Sequence, residues 1–330
     1  MNTARKDQTR SRLCSAFSSE NGEDPAGSAT WWRRCLVVEV PEPWASEVTE
    51  SRYFPPEVST ELANAAAEGL DTRLQCVTPD SEYSADGQSR VMLFSRPDGP
   101  FSSYAKEEYQ VPAGEVGSLA AVLLTRRGDL GRFERYRQDT AHLRDVLVCT
   151  HGAQDTCCGS IGYPIYDALR HRYARQPGAN LRVWRVSHLG GHRFAPNVLD
   201  MPEGRNWVRV GTGQLDALVR RTGPASDLRG QYRGWVGMES PYEQLAEREA
   251  LMREGWGWTD RLVESRLVAV DEAQGRAEVR LDFYAMSGAK SGTYVAKIER
   301  TGTAPRADCV SGAAGGDVPQ YAVTEMTAAG

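Results

Sequence analysis

The chain has 330 residues, 40% of them hydrophobic, and a formal net charge of −5 with acids and bases interspersed. That length suits two or three modest domains and that apolar fraction a buried core, while the mild acidity excludes the basic stripe of a nucleic-acid or anionic-membrane binder. No apolar run approaches the roughly 20 residues of a membrane span. Residues 1–30 carry early positive charge but no hydrophobic segment, so they read as a mobile arm of a cytoplasmic protein and not as a secretory signal.

The first predicted strand is the Val-rich run Cys35 to Val40, closed by Pro41 and Pro43. A helix follows, capped at Ser59 or Thr60 and stopped at Gly69. "TRLQCVTP" and "SRVMLFSRP" read as strands and "GSLAAVLLTRR" as a short helix, so residues 31–140 form one α/β unit. In the next unit, 141–238, Asp145 to Val148 forms a strand that delivers Cys149 at its end. A loop leads to a helix with Pro164 at its first position. "NLRVWRVSH" is a strand ending at His188, "NVLDMPEGRNWVRV" a hairpin turning at Pro202 to Gly204, and "GQLDALVRRTG" a closing helix. That order has the layout of a thioredoxin-like layer. In 239–302, Ser240, Pro241 and Glu243 write a capping box for a helix ended by Gly255, and antiparallel strands follow around Gln274-Gly275. Residues 303–330, rich in Gly, Ala and Thr, read as a disordered tail. The fold class is α/β: a thioredoxin-like domain between an α/β domain and a small helix-plus-antiparallel-strand unit.

Seven cysteines, an odd count without an export signal, argue against a disulfide framework. Cys35 and Cys76 sit beside apolar residues and read as small buried hydrophobes, while Cys14 and Cys309 lie in weakly structured flanks. Cys149, Cys157 and Cys158 crowd into ten residues, and His188 and His192 flank a loop with Gly190-Gly191. Soft thiolates and imidazoles on two loops at one sheet end suggest a metal site. Structural zinc fits poorly because its cysteines are usually two to four residues apart. A thiol–disulfide centre fits poorly because no Cys-x-x-Cys opens the helix. A diiron cluster with mixed ligands accommodates the wide spacing, with two histidines replacing two cysteines at one iron as in Rieske centres. His142 and His171 read as solvent-exposed. Around the candidate ligands, His151 could hydrogen-bond near the site, and Asp155 and Asn197 could cap the two loops. Arg185 and Arg193 could form a positive rim, with Arg182 on the same strand. "GTGQLDALV" lacks the third glycine and acidic partner of a dinucleotide fingerprint.

"VCTHGAQDTCCG" and "VWRVSHLGGHRFAPNVLDMPEG" together resemble the sucrase/ferredoxin-like family of thioredoxin-like ferredoxins. The family pattern runs Cys, a His two residues on, Asp, Cys-Gly, then His-x-Gly-Gly-His and Ala-Pro-Asn, and the resemblance extends from about Cys35 to Trp258. It implies a 2Fe–2S cluster on Cys149, Cys158, His188 and His192, with Cys157 extra to the pattern. It implies electron transfer through that cluster, and because imidazole ligands can carry a proton, reduction is expected to be proton-coupled. The expected activity is that of an oxidoreductase of the ferric-siderophore reductase type, with a reductase as electron donor and a ferric chelate as acceptor. The alternatives are a ferredoxin-type carrier feeding another enzyme and, from a different class, a structural-zinc interaction module.

Overall fold

The computed structural model describes residues 13–307 and 314–329. The apolar runs of residues 34–235 become nine strands of one sheet: β1 (Arg34–Glu39), β2 (Thr72–Val77), β3 (Gln88–Ser95), β4 (Ala105–Pro112), β5 (Arg144–Cys149), β6 (Leu181–Val186), β7 (Asn197–Met201), β8 (Arg205–Val208) and β9 (Tyr232–Trp235). Their order is β4-β3-β1-β2-β6-β5-β7-β8-β9. The pairs β1/β2 and β5/β6 are parallel and the rest antiparallel. The fold is α/β, and the sheet runs unbroken past residue 140: β2 meets β6 where Val77 pairs with Val186.

The sheet curls strongly. Glu108 on β4 lies 2.7 Å from the Arg182 guanidinium on β6, although three strands separate the two in sheet order. Lys106 and Asp145 close the same buried network, joined by Arg90 and the Trp184 indole. Each charge here is desolvated and survives only because opposite charges and hydrogen bonds surround it.

The helices are α1 (Cys14–Glu20), α2 (Pro56–Ala67), α3 (Val116–Leu124), α4 (Thr156–Leu169), α5 (Leu215–Arg220) and α6 (Pro241–Glu254). The capping box at Ser240 and Glu243 opens α6 as its sequence dictates. Two starts differ from expectation. α2 begins at Pro56, ahead of Ser59 and Thr60, because proline lacks the amide that a first helical position leaves unbonded. α4 begins eight residues before Pro164, because the Asp155 carboxylate accepts the Cys157 amide at 2.7 Å and caps the helix there. Cys157 and Cys158 therefore lie on the first turn of a helix, not in a loop, and Pro164 is inside it.

Both ends of the chain depart from expectation too. From Leu13 the N-terminal segment is built into the fold: Glu23 is buried, accepts from Ser18 at 2.6 Å and pairs with Arg193 at 2.7 Å. In place of a disordered tail, β10 (Leu262–Asp271), β11 (Arg276–Tyr284), β12 (Lys290–Ala307) and β13 (Ala314–Ala329) form a second, antiparallel sheet in that order. β13 has weak intrinsic strand propensity and is held by its pairing along β12. Residues 1–12 of the expected arm, and 308–313 with Cys309, lie outside the described residues. Among the described residues no helix is long and apolar enough to cross a membrane.

Candidate metal centre

β5 and β6 are parallel neighbours, and their carboxyl ends coincide where Cys149 pairs with Val186. His188 lies two residues past that point. α4 returns over the same end and brings Cys158 down on its first turn. The ligating atoms of Cys149, Cys158 and His188 all lie within 4.8 Å of one another, with both cysteines buried. His188 Nδ1 is 3.6 Å from the Cys158 sulfur. The hydrogen bond from Cys158 holds the Cys149 thiol well below its ordinary range, against burial, which would raise it, and with help from His188. Cys158, as the donor and itself buried, is pushed up.

His192 stands beside this group and outside its tightest part. Its ring centroid is 6.0 Å from that of His188. Its Nδ1 faces Asp155 Oδ2 at 3.0 Å and Cys14 Sγ at 3.1 Å. Burial alone would raise the Asp155 carboxyl, but His192 and the Cys157 amide hold it below its ordinary value. Cys157 points away from the cluster, into a contact with Cys14 and Ser15, each at 3.5 Å. Cys14, read from the sequence as part of a weakly structured flank, thus packs on α1 against the histidine loop.

The His188–His192 loop needs glycine where Gly190 and Gly191 take φ of 79° and 65°. Side chains from other strands hold its carbonyls. Arg73 and Gln75 from β2 donate to His188 O at 3.3 and 3.5 Å. Asn197 donates to Gly191 O at 3.0 Å. His151 is buried, with Nε2 2.7 Å from Ala45 O and its ring edge-on to Trp44. Burial holds its imidazole below the ordinary value. A cleft of about 340 Å³ opens beside the cluster, lined by His188, His151, Arg73 and Gln154.

The arginine rim does not form. Arg185 pairs with Glu42 at 2.6 Å, Arg193 with Glu23 at 2.7 Å, and Arg182 is buried in the ionic network. Each positive charge is spent on a carboxylate that lies far away in sequence. Cys35 and Cys76 are buried, and burial pushes the Cys35 thiol up to about 12. His142 and His171 are exposed. Sequence reasoning missed Arg73, Gln75 and Cys14, whose contacts with the site join segments more than 100 residues apart.

The family model described as sucrase/ferredoxin-like matches residues 25–234, more than half of the chain and including Cys149, Cys158, His188 and His192. The chain belongs to the sucrase/ferredoxin-like family. Three curated relatives share the name "Altered inheritance of mitochondria protein 32". The protein from Meyerozyma guilliermondii is 28% identical over 100 residues, covering 28% of this chain and 34% of its own. That from Debaryomyces hansenii is 31% identical over 70 residues, covering 21% and 25%. That from Clavispora lusitaniae is 25% identical over 190 residues, covering 53% and 64%. The matches thus span less than two thirds of each relative's length. No solved structure matches this chain.

These relatives overturn the expected activity. They are named for the inheritance of mitochondria, not for iron–sulfur electron transfer, siderophore reduction or zinc-dependent interaction, and the family description goes no further than "ferredoxin-like". The readings of this sucrase/ferredoxin-like chain as a ferric-chelate reductase, an electron carrier and a zinc module are therefore withdrawn. What stands is a Cys/His group compatible with a metal site.

Proposed function

We propose that this chain is a metal-cofactor protein in which Cys149, Cys158, His188 and His192 hold a 2Fe–2S group at the carboxyl ends of β5 and β6. The observation that carries the reading is the convergence of two buried thiols and an imidazole within 4.8 Å. Thiolate and imidazole together suit iron–sulfur ligation. His192, set apart by a ring separation of 6.0 Å, suits a group larger than one ion.

When bound, the group supplies a tie between the β5–α4 turn and the β6–β7 loop, so that uptake and folding of this edge are linked. The chain's own residues prepare it. Asp155 fixes His192 through Nδ1 and leaves Nε2 as the free ring nitrogen. Arg73 and Gln75 hold the His188 backbone. Ligand cysteines must stay reduced, which suits a reducing compartment such as the cytoplasm. The relatives' name denotes an inheritance phenotype and no reaction, so the proposal for this chain rests on the donor set.

Anaerobically purified protein should contain about two irons and two acid-labile sulfides per chain and absorb in the visible. Cys158→Ala should lose both. Cys157→Ala should keep them, because Cys157 faces Cys14 and Ser15. Colourless, sulfide-free protein, or equal loss in the two variants, would sink the reading.

A further inference from the structure

Arg233 on β9 is buried, and its guanidinium has no carboxylate partner among the described residues. Its donors go to neutral acceptors on four separate segments. They reach Ser28 O at 2.7 Å and Ser28 Oγ at 3.2 Å, Gly190 O at 3.0 Å, and Asn197 Oδ1 and Asn206 Oδ1 at 3.3 Å each. Asn197 in turn donates to Gly191 O at 3.0 Å. The packing leaves no slack: a Cβ on Gly191 would sit 2.7 Å from the guanidinium. A buried cation with no carboxylate in contact, Glu23 acting on it only from a distance, costs stability. Neutral residues could fill the space, so the cost points to something the planar five-donor fork does that they cannot.

We infer that Arg233 is the positioning residue of the histidine loop, fixing the backbone between His188 and His192 from beneath, directly at Gly190 and through Asn197 at Gly191. The inference rests on the metal-centre reading above. It extends that reading to a residue about forty positions downstream of the loop, on a strand that contributes no ligand. Arg73 and Gln75 hold the same loop from the β2 side, so the loop is clamped between two arginines from opposite flanks of the sheet. Outer groups that orient ligands typically change metal retention by about 10–100-fold when removed.

The test has two arms on the full chain. In the metal-free protein, amide hydrogen exchange at residues 188–192 is compared among the parent, Arg233→Gln, Arg233→Lys and Asn197→Ala. In protein reconstituted with ferrous iron and sulfide, the rate of iron loss to a chelator and the visible spectrum are followed. Arg233→Gln should speed exchange across the loop, speed iron loss about tenfold or more and shift the spectrum. Arg233→Lys should recover little, since an ammonium cannot serve four segments at once. Asn197→Ala keeps the guanidinium and should show the same effects more weakly, which covers a failure of Arg233→Gln to fold. Glu108→Gln lowers global stability away from the loop and should leave iron retention unchanged. Parental exchange and iron loss in both Arg233→Gln and Asn197→Ala, or iron loss that simply tracks stability in Glu108→Gln, would overturn the inference. A parent chain that takes up no iron would overturn the metal-centre reading instead, and the exchange arm would still decide whether Arg233 holds the loop.

Discussion

Glu108→Gln should cost the fold about 3–5 kcal/mol, the usual loss when one partner of a buried ion pair is removed. The Glu108 carboxylate is fully buried and accepts from Arg182 at 2.9 and 2.7 Å, with Lys106 at 3.1 Å and Arg90 also in contact. Removing its charge leaves Arg182 and Lys106 to share Asp145 and takes from Arg90 its ion-pair partner. The glutamine is close to isosteric, so the loss measures charge and not a cavity. The shift in the urea midpoint at constant slope reads it. Arg185→Ala breaks a part-exposed pair with Glu42 and should cost no more than about 1 kcal/mol. Equal shifts for the two variants would contradict the burial argument.

The same network sets a pH dependence. Burial would raise the Glu108 carboxyl, but Arg182, Lys106 and Arg90 outweigh it and hold the group well below the ordinary carboxylate range. A depressed folded value means that the unfolded chain binds the proton first. The contribution is therefore full above the unfolded value of about 4.3 and drains as pH falls below it toward the folded value. Glu108→Gln should flatten the acid limb of the stability curve below about pH 5, and thermal melts from pH 7 to pH 3 would show it.

What the sequence made legible was local. Cys149 was readable at a strand end because it closes a short apolar run, His188 lies two residues past the strand that the sequence marked, and the Ser240 capping box fixes α6 within a few residues. The start of α4 was written in Asp155, a strong capping residue, but Pro164 offered a competing start, and only the Cys157 amide contact decides between them. Other features have no local signature. The union of the two α/β halves is a pairing of Val77 with Val186. Arg182 looks like any strand arginine until β4 curls round to supply Glu108. β13 is composed of residues that make a strand only beside β12. Within the site, the donors were legible as residue types, whereas Cys14, Arg73 and Arg233 approach from distant segments, and the arginine rim failed because Glu23 and Glu42 arrive from equally far away.

Gly162→Ala should dismantle the centre more completely than its size suggests. Gly162 faces the end of β5, where an added Cβ would lie 2.0 Å from Cys149 O and 3.1 Å from its carbonyl carbon. Both are backbone atoms of a strand paired on each side, so neither can yield without moving a ladder. Helix propensity alone would favour alanine by about 1 kcal/mol. The clash opposes it and should win, at about 3 kcal/mol, the upper end of ordinary overpacking. Gly159 makes the second close approach: an added Cβ there would lie 2.8 Å from Gly152 Cα in the turn after β5, so the two glycines let α4 lie at backbone contact on the end of the cysteine strand and its turn. Alanine at 162 must lift that helix, and with it Cys158, away from Cys149. Iron and sulfide content should fall to the Cys158→Ala level even where circular dichroism still reports a folded chain. Gly128 provides the control: an added Cβ there meets nothing within 4 Å, so Gly128→Ala should be neutral or stabilising and keep its iron. Retention of a full iron complement in Gly162→Ala would mean that close seating of α4 on β5 is not what brings the two thiols together.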